Sequence, residues 1–204
     1  MKIKKHNLYI LLFLIFCSAD VFAQRKTITK TVEEFIAEAD AAGMTFTMPA
    51  GYHAIPLKVD YEFTYDFAIK NDTADFEIRY NIFPLQDEVA KFKKCMVDSS
   101  CKMKNPNATY RSKLEERILK ISCGIPQLIA VFPRDAMRKE MNCDDGGFVF
   151  YKPDSDFGED YKVVQTVVFH KNDVADVMIN YLSKDRQLHE ELMMAPFGAL
   201  IYKP

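Results

Sequence analysis

His170 and Asp144 are the residues with the most chemical potential in this chain. A histidine near a carboxylate is the pairing that general-base catalysis uses, because the acid orients the ring and supports its protonated form. Symmetric folding of the surrounding hairpin puts His170 at a strand end, on an apolar face, opposite Ala175. A turn-flanking histidine also has a plainer use, which is to satisfy nearby polar groups. His53, His170 and His189 each stand alone, so no HExxH-type zinc pattern exists. Asp154, Asp156 and Asp160 carry oxygen ligands through the stretch 153–160, with spacing that calcium loops use. The Asp-x-Asp-x-Asp-Gly core and distal Glu of an EF-hand are missing there, which favours an acidic surface loop.

Cys95 and Cys101 enclose five residues of a polar stretch, which suits a local disulfide. Cys123 and Cys143 either pair with each other or serve as small buried hydrophobes. No CxxC occurs, and no Gly-x-Ser-x-Gly. Cys–His catalysis would require Cys123 or Cys143 beside His170. The adjacent acids Glu33/Glu34 and Glu190/Glu191 read as solvated helix faces. Seven glycines in 204 residues disfavour glycine-rich nucleotide loops, and no cofactor is expected.

The N-terminus predicts an address. Lys2, Lys4 and Lys5 precede an apolar run over residues 8–16, which is too short to span a bilayer. Val21 and Ala23 stand at the −3 and −1 positions of a cleavage site before Gln24. Residues 1–23 therefore read as a secretory signal peptide and 24–204 as one domain. Cys17 raises a lipoprotein alternative, although Phe16 precedes it where a small residue is usual. Removing 1–23 leaves 24 basic and 28 acidic residues, a formal charge of −4. No basic patch suggests nucleic acid, and no further apolar run suggests a membrane span. A secreted or periplasmic location follows.

The elements that must position these residues are legible in outline. Thr31 and Glu34 match a capping box before a helix bearing Phe35, Ala39 and Ala42, with Gly43 after its end. Residues 44–48 alternate as a short strand. A hairpin follows, in which alternation over 61–70 and 76–82 predicts Phe67 opposite Ile78, Ile69 opposite Phe76, and Asp66 opposite Arg79. Asp87 is a candidate cap for a helix with Val89, Phe92 and Met96 on one face. Tyr110, Leu114, Ile118 and Ile121 mark a second helix, stopped by Gly124 and Pro126. Residues 128–132 read as a buried strand, 134–141 as a short helix, and 148–151 as another strand. In a second hairpin, over 161–170 and 174–182, Val168 is expected opposite Val177. Both its faces carry apolar residues, which belongs in a sheet covered on two sides. Residues 185–194 predict a last helix and 197–202 a closing strand. The fold class is α+β: a single domain whose antiparallel sheet, with two clear hairpins, is flanked by helices.

Phe46-Thr47-Met48-Pro49-Ala50-Gly51-Tyr52, after the first helix, resembles the opening strand and Pro-x-Gly-aromatic turn of PsbP-like domains. That resemblance implies an antiparallel sheet between helices. Residues 141–146, 157–162 and 170–171 resemble small secreted bacterial proteins without assigned function. Neither resemblance implies catalytic residues. Function is therefore expected to be binding: an exported, non-catalytic accessory protein of the cell envelope, whose partner is a protein or an envelope ligand. The rival expectation is a secreted hydrolase-type enzyme with dispersed residues around His170 and Asp144, and a third is a calcium-stabilised domain using residues 154–160.

Overall fold

The computed structural model describes residues 26–59 and 64–204. The expected signal peptide, Cys17, and Tyr61, Glu62 and Phe63 of the first hairpin lie outside the described residues. Strand β1 (Lys26–Ile28) leads to helix α1 (Val32–Ala41). The expected capping box forms at its start: the Thr31 hydroxyl accepts from the Glu34 N–H, and the Glu34 carboxylate accepts from the Thr31 N–H. Strands β2 (Met44–Phe46) and β3 (Tyr52–Ala54) flank a turn in which Gly51 takes a φ of +77°. Then come β4 (Leu57–Val59), β5 (Phe67–Asn71), β6 (Phe76–Pro84), α2 (Gln86–Cys95) and α3 (Pro106–Ile121). After β7 (Ala130–Val131), the α-turn α4 (Arg134–Ala136) runs into a π-helix, Met137–Met141. The chain ends with β8 (Asp145–Tyr151), α5 (Ser155–Gly158), β9 (Val163–Lys171), β10 (Ala175–Ser183), α6 (Arg186–Leu192) and β11 (Leu200–Tyr202).

Seven strands form one antiparallel sheet in the order β3-β5-β6-β10-β9-β8-β7. The pairs β1–β4 and β11–β2 make two small antiparallel ribbons. The fold is α+β in a single domain. Cys95 and Cys101 are disulfide-bonded at the end of α2 (Cα–Cα 5.4 Å), while Cys123 and Cys143 are both free. Among the described residues, no helix is long and apolar enough to cross a membrane.

Both hairpins form, but in registers other than symmetric folding predicts. In β5–β6, Phe67 faces Tyr80 and Ile69 faces Ile78, a slip of two residues. A slip of two leaves every side chain on its own face, so alternation does not distinguish the two registers. The turn decides. Asn71 Oδ1 accepts from the Thr73 and Ala74 N–H groups and the Thr73 hydroxyl, which holds a wider loop. Ala68 rather than Asp66 therefore opposes Arg79. Asp66 instead accepts from the Ile82 N–H at 2.7 Å, and Arg79 donates to Glu77 at 2.6 Å.

In β9–β10 the slip is one residue: Val177 faces Phe169, and Val168 faces Met178. Such a slip exchanges faces and is normally forbidden by a polar side. Here both faces are buried, so the pattern does not forbid it. The loop 172–174 sets the register, with Asp173 in the left-handed region at φ +63°. Two smaller expectations are also corrected. Of residues 128–132, only Ala130 and Val131 are strand, and Leu128 is 92% exposed, because β7 is the sheet edge and packs through Ile129. Asp87 lies in the first turn of α2 and caps nothing; the N-cap position is Leu85, and Met96 points outward.

The two faces of the sheet differ. One buries Phe35, Phe46, Phe67, Ile78, Tyr80, Phe169 and Val177 under α1 and the β2–β11 ribbon. Phe35 stacks on Phe67 with centroids 4.4 Å apart and meets Phe46 edge-on at 4.9 Å. Such aromatic pairs add about 0.5–1.5 kcal/mol each beyond burial. The other face packs Val164, Val168, Met178 and Leu182 against Tyr110, Leu114, Ile118 and Ile121 of α3. That face also carries Glu77, Arg79, Thr166, His170, Asp176 and Asn180, all buried.

His189 of α6 is fully buried, with Nε2 donating to Gln165 Oε1 at 2.6 Å. Burial, helped by the charge of Arg186, lowers its pKa to about 4. The neutral ring belongs to the folded state, so its contribution is whole above about pH 6.5 and is lost as pH falls towards 4. Across that window the loss is about 3 kcal/mol. Thermal or urea melts between pH 7 and 4 should show a flatter pH dependence for His189→Leu than for the wild type.

Candidate functional site

The site forms where the β9–β10 hairpin turns. The observed register places Asp176 directly across from His170, and Asp145 of β8 on its other side. His170 Nδ1 meets Asp176 Oδ1 at 2.6 Å, and Nε2 meets Asn172 Oδ1 at 3.1 Å. The ring lies flat on Tyr110 of α3, with centroids 4.0 Å apart and planes inclined by 10°. His170 is only 2% exposed.

The loop 172–174 is fastened from three sides. Asn172 donates its backbone N–H and its side-chain amide to Asp144 Oδ2, each at 2.9 Å. Asp173 accepts from the Asn107 side chain and from Lys93 of α2, while its own N–H donates to Asn107 Oδ1. The Asp144 N–H donates to the His170 carbonyl at 2.8 Å. Asp145 accepts from the Tyr110 hydroxyl, from Arg111 at 3.2 Å and from the Gly146 N–H at 2.8 Å. Around this frame opens a pocket of about 230 Å³, lined by Asn107, Tyr110, Arg134, Arg138, Asp144, Asp145, His170 and Asn172.

Electrostatics follow from the geometry. Burial opposes the charged form of His170, but the hydrogen bond and charge of Asp176, then Asn172 and Asp144, outweigh it and raise its pKa. In the protonated ring both nitrogens donate, one to Asp176 and one to Asn172. Burial likewise opposes the Asp145 carboxylate, yet Tyr110, the Gly146 N–H and Arg111 hold it below the ordinary carboxylate range. Burial and the bond to Asp145 push the Tyr110 phenol to about 12.

His170 and Asp144, separated by 26 positions in the sequence, are thus brought together, with Asn172 bridging them. The immediate partner of His170 is Asp176, which the expected register concealed. Tyr110 reads in the sequence only as part of a helical core stripe, and Asp145, Arg134 and Arg138 carry no site signal. A three-residue loop after Lys171 would have exposed Asp176, since it sets residues 170 and 176 across from each other. The acidic stretch behaves differently. Asp154 caps the short helix α5 by accepting from the Asp156 N–H at 2.8 Å, and its other oxygen lies 3.6 Å from Cys123 Sγ. Asp160 lies beyond that helix. Among the described residues, no group of three or more His, Cys, Asp or Glu side chains converges as a metal site. Neither free cysteine lines the His170 pocket. Cys143 is buried with Sγ 3.8 Å from the Met137 carbonyl, and burial with the nearby Asp144 and Asp145 charges pushes its thiol to about 12.

An NMR titration of the His170 ring should give a midpoint above 6.5, and Asp176→Asn should lower it. The contribution of this pair to stability is whole below about pH 6.5 and fades as pH rises through the folded-state value. A midpoint unchanged by Asp176→Asn would mean that the pair does not control the ring. No protein-family model matches the chain, and no curated protein shows significant similarity to it.

Proposed function

We propose that the chain is an exported, non-catalytic binding protein of the cell envelope that holds a polar ligand in the His170 pocket. One observation carries this reading. The acids and the imidazole of the pocket are already engaged by partners within the fold, whereas the guanidinium groups of Arg134 and Arg138 at its wall have no hydrogen-bond or ion-pair partner among the described residues. A rigid interior with unengaged charge at the opening suits recognition. Export rests on the N-terminal pattern over residues 1–23, and the Cys95–Cys101 disulfide is compatible with an oxidising compartment. The likeness of residues 46–52 to PsbP-like domains belongs to the same proposal, supported by a sheet lying between helices.

The His170–Asp176 pair, at 2.6 Å, favours a hydrolase as the second reading. Against it, Nε2 is already bonded to Asn172, and the residues lining the pocket include no serine, threonine or cysteine.

Two measurements test the first reading. Intact-mass analysis of the exported protein should give a chain beginning at Gln24 with one disulfide and two free thiols. A product that retains residues 1–23, or that has four free thiols, would refute export and oxidation. Bait purified with its ligand and denatured should release a small molecule detectable by mass spectrometry. Release of the same molecule in equal yield from an Arg138→Glu bait would count against the pocket. Turnover of ester or amide substrates that disappears in His170→Gln would favour the hydrolase.

A further inference from the structure

We infer that this pocket is a site for a small oxyanion, a carboxylate or a tetrahedral phosphate- or sulfate-type group, held between the guanidinium groups of Arg134 and Arg138. The inference rests on the binding reading above and names its ligand class. Arg134 and Arg138 sit about one turn apart, on α4 and on the π-helix that continues it. Helical segments of this kind recur at functional sites. Among the other described arginines, Arg79 has Glu77, Arg111 has Asp145 and Arg186 has Glu190, while Arg117 lies over the Phe83 ring. The two pocket arginines have no such partner among the described residues, and both are exposed at the pocket wall. An oxyanion is the complementary group, since guanidinium presents donors in a fork that fits carboxylate and phosphate oxygens.

The acids in the pocket do not supply that partner. Asp144 accepts two hydrogen bonds from Asn172, and Asp145 accepts from Tyr110, Arg111 and Gly146. An anion on the arginines displaces none of these bonds. The volume of about 230 Å³ suits a molecule of modest size.

The test is an NMR titration of the 15N-labelled chain, residues 24–204, that follows backbone amides and arginine Nε–H signals. The probes are sodium sulfate and sodium succinate, with tetramethylammonium chloride as the cationic control at matched ionic strength. Saturable shifts at Arg134, Arg138 and Asn172 with sulfate or succinate are expected. Preference for sulfate assigns a tetrahedral group, and preference for succinate a carboxylate. Arg134→Gln and Arg138→Gln should each weaken binding about tenfold, as removing one charged donor does, while Arg186→Gln should change it less than twofold. The same spectra report whether each variant is folded, and both arginines are surface residues. Shifts that rise linearly with ionic strength, or equal affinity in the doubly substituted chain, would overturn the inference. Saturation of the pocket by tetramethylammonium and not by either anion would overturn it too, yet leave the binding reading standing.

Discussion

Strand β10 is buried along all nine of its residues, on both faces of the sheet. No polar side chain on it reaches solvent, so each must find a partner inside the protein or leave a costly unpaired group. Asp176 finds His170. Asn180 Oδ1 accepts from the Thr166 hydroxyl, which in turn takes a bond from Tyr151, whereas the Asn180 amide nitrogen and the Tyr181 hydroxyl are left without a hydrogen-bond partner among the described residues. Ser183 donates to the Asp185 carbonyl just before α6. These bonds tie β10 to β9, to β8 and to the last helix. The His170–Asp176 pair is the outermost of them, and for that reason it borders a pocket.

The two covered layers divide the work. The face under α1 is almost wholly apolar, and its interlocked aromatic rings carry cohesion. The face under α3 mixes aliphatic side chains with a buried polar set. Arg79 is the plainest case. It lies between the rings of Tyr65 and Phe157, with its carbon centre 5.0 and 4.7 Å from their centroids, and it donates to Glu77 and to the Phe157 carbonyl. A buried charge of this sort adds little net stability, since desolvation offsets its pairing. It does disfavour register slips, because a shift of β6 would carry the guanidinium away from the Phe157 carbonyl and from the rings of Tyr65 and Phe157. Polar specificity thus fixes on one face what hydrophobic packing on the other leaves free.

That division also explains what was legible in the sequence. Local signals read true: the Thr31 capping box, the Tyr110–Leu114–Ile118–Ile121 stripe and the short Cys95–Cys101 loop each depend on residues close in the chain. Fold class was legible because alternation and helical stripes survive any register. Register was not. In the first hairpin the deciding group is one Asn71 side chain, and in the second it is a left-handed Asp173. Neither leaves a mark on periodicity. The candidate site inherits that blindness. His170 and Asp144 stand out by type, but Asp176, Tyr110 and Arg138 become relevant only after the strands are paired and α3 is laid across them. The π-helix is likewise silent, since its residues read as an ordinary short helix.

A last consequence concerns charge. Without residues 1–23 the chain is net negative, at −4, so its overall field repels anions and gives them no steering towards the pocket. At physiological salt that field is screened beyond roughly 8 Å. Attraction must therefore arise within contact distance of Arg134 and Arg138. This favours ligands able to bond both guanidinium groups at once over those that merely carry charge, because one bidentate contact is geometrically demanding and two are more so. Monovalent spherical ions such as chloride satisfy neither demand. Selectivity of this kind needs a stationary wall, and the fastened loop 172–174, the stacked Tyr110–His170 rings and the buried Asp176 supply one. The same buried strand that forced the polar groups to pair with one another thereby leaves the two arginines as the adjustable part of the site.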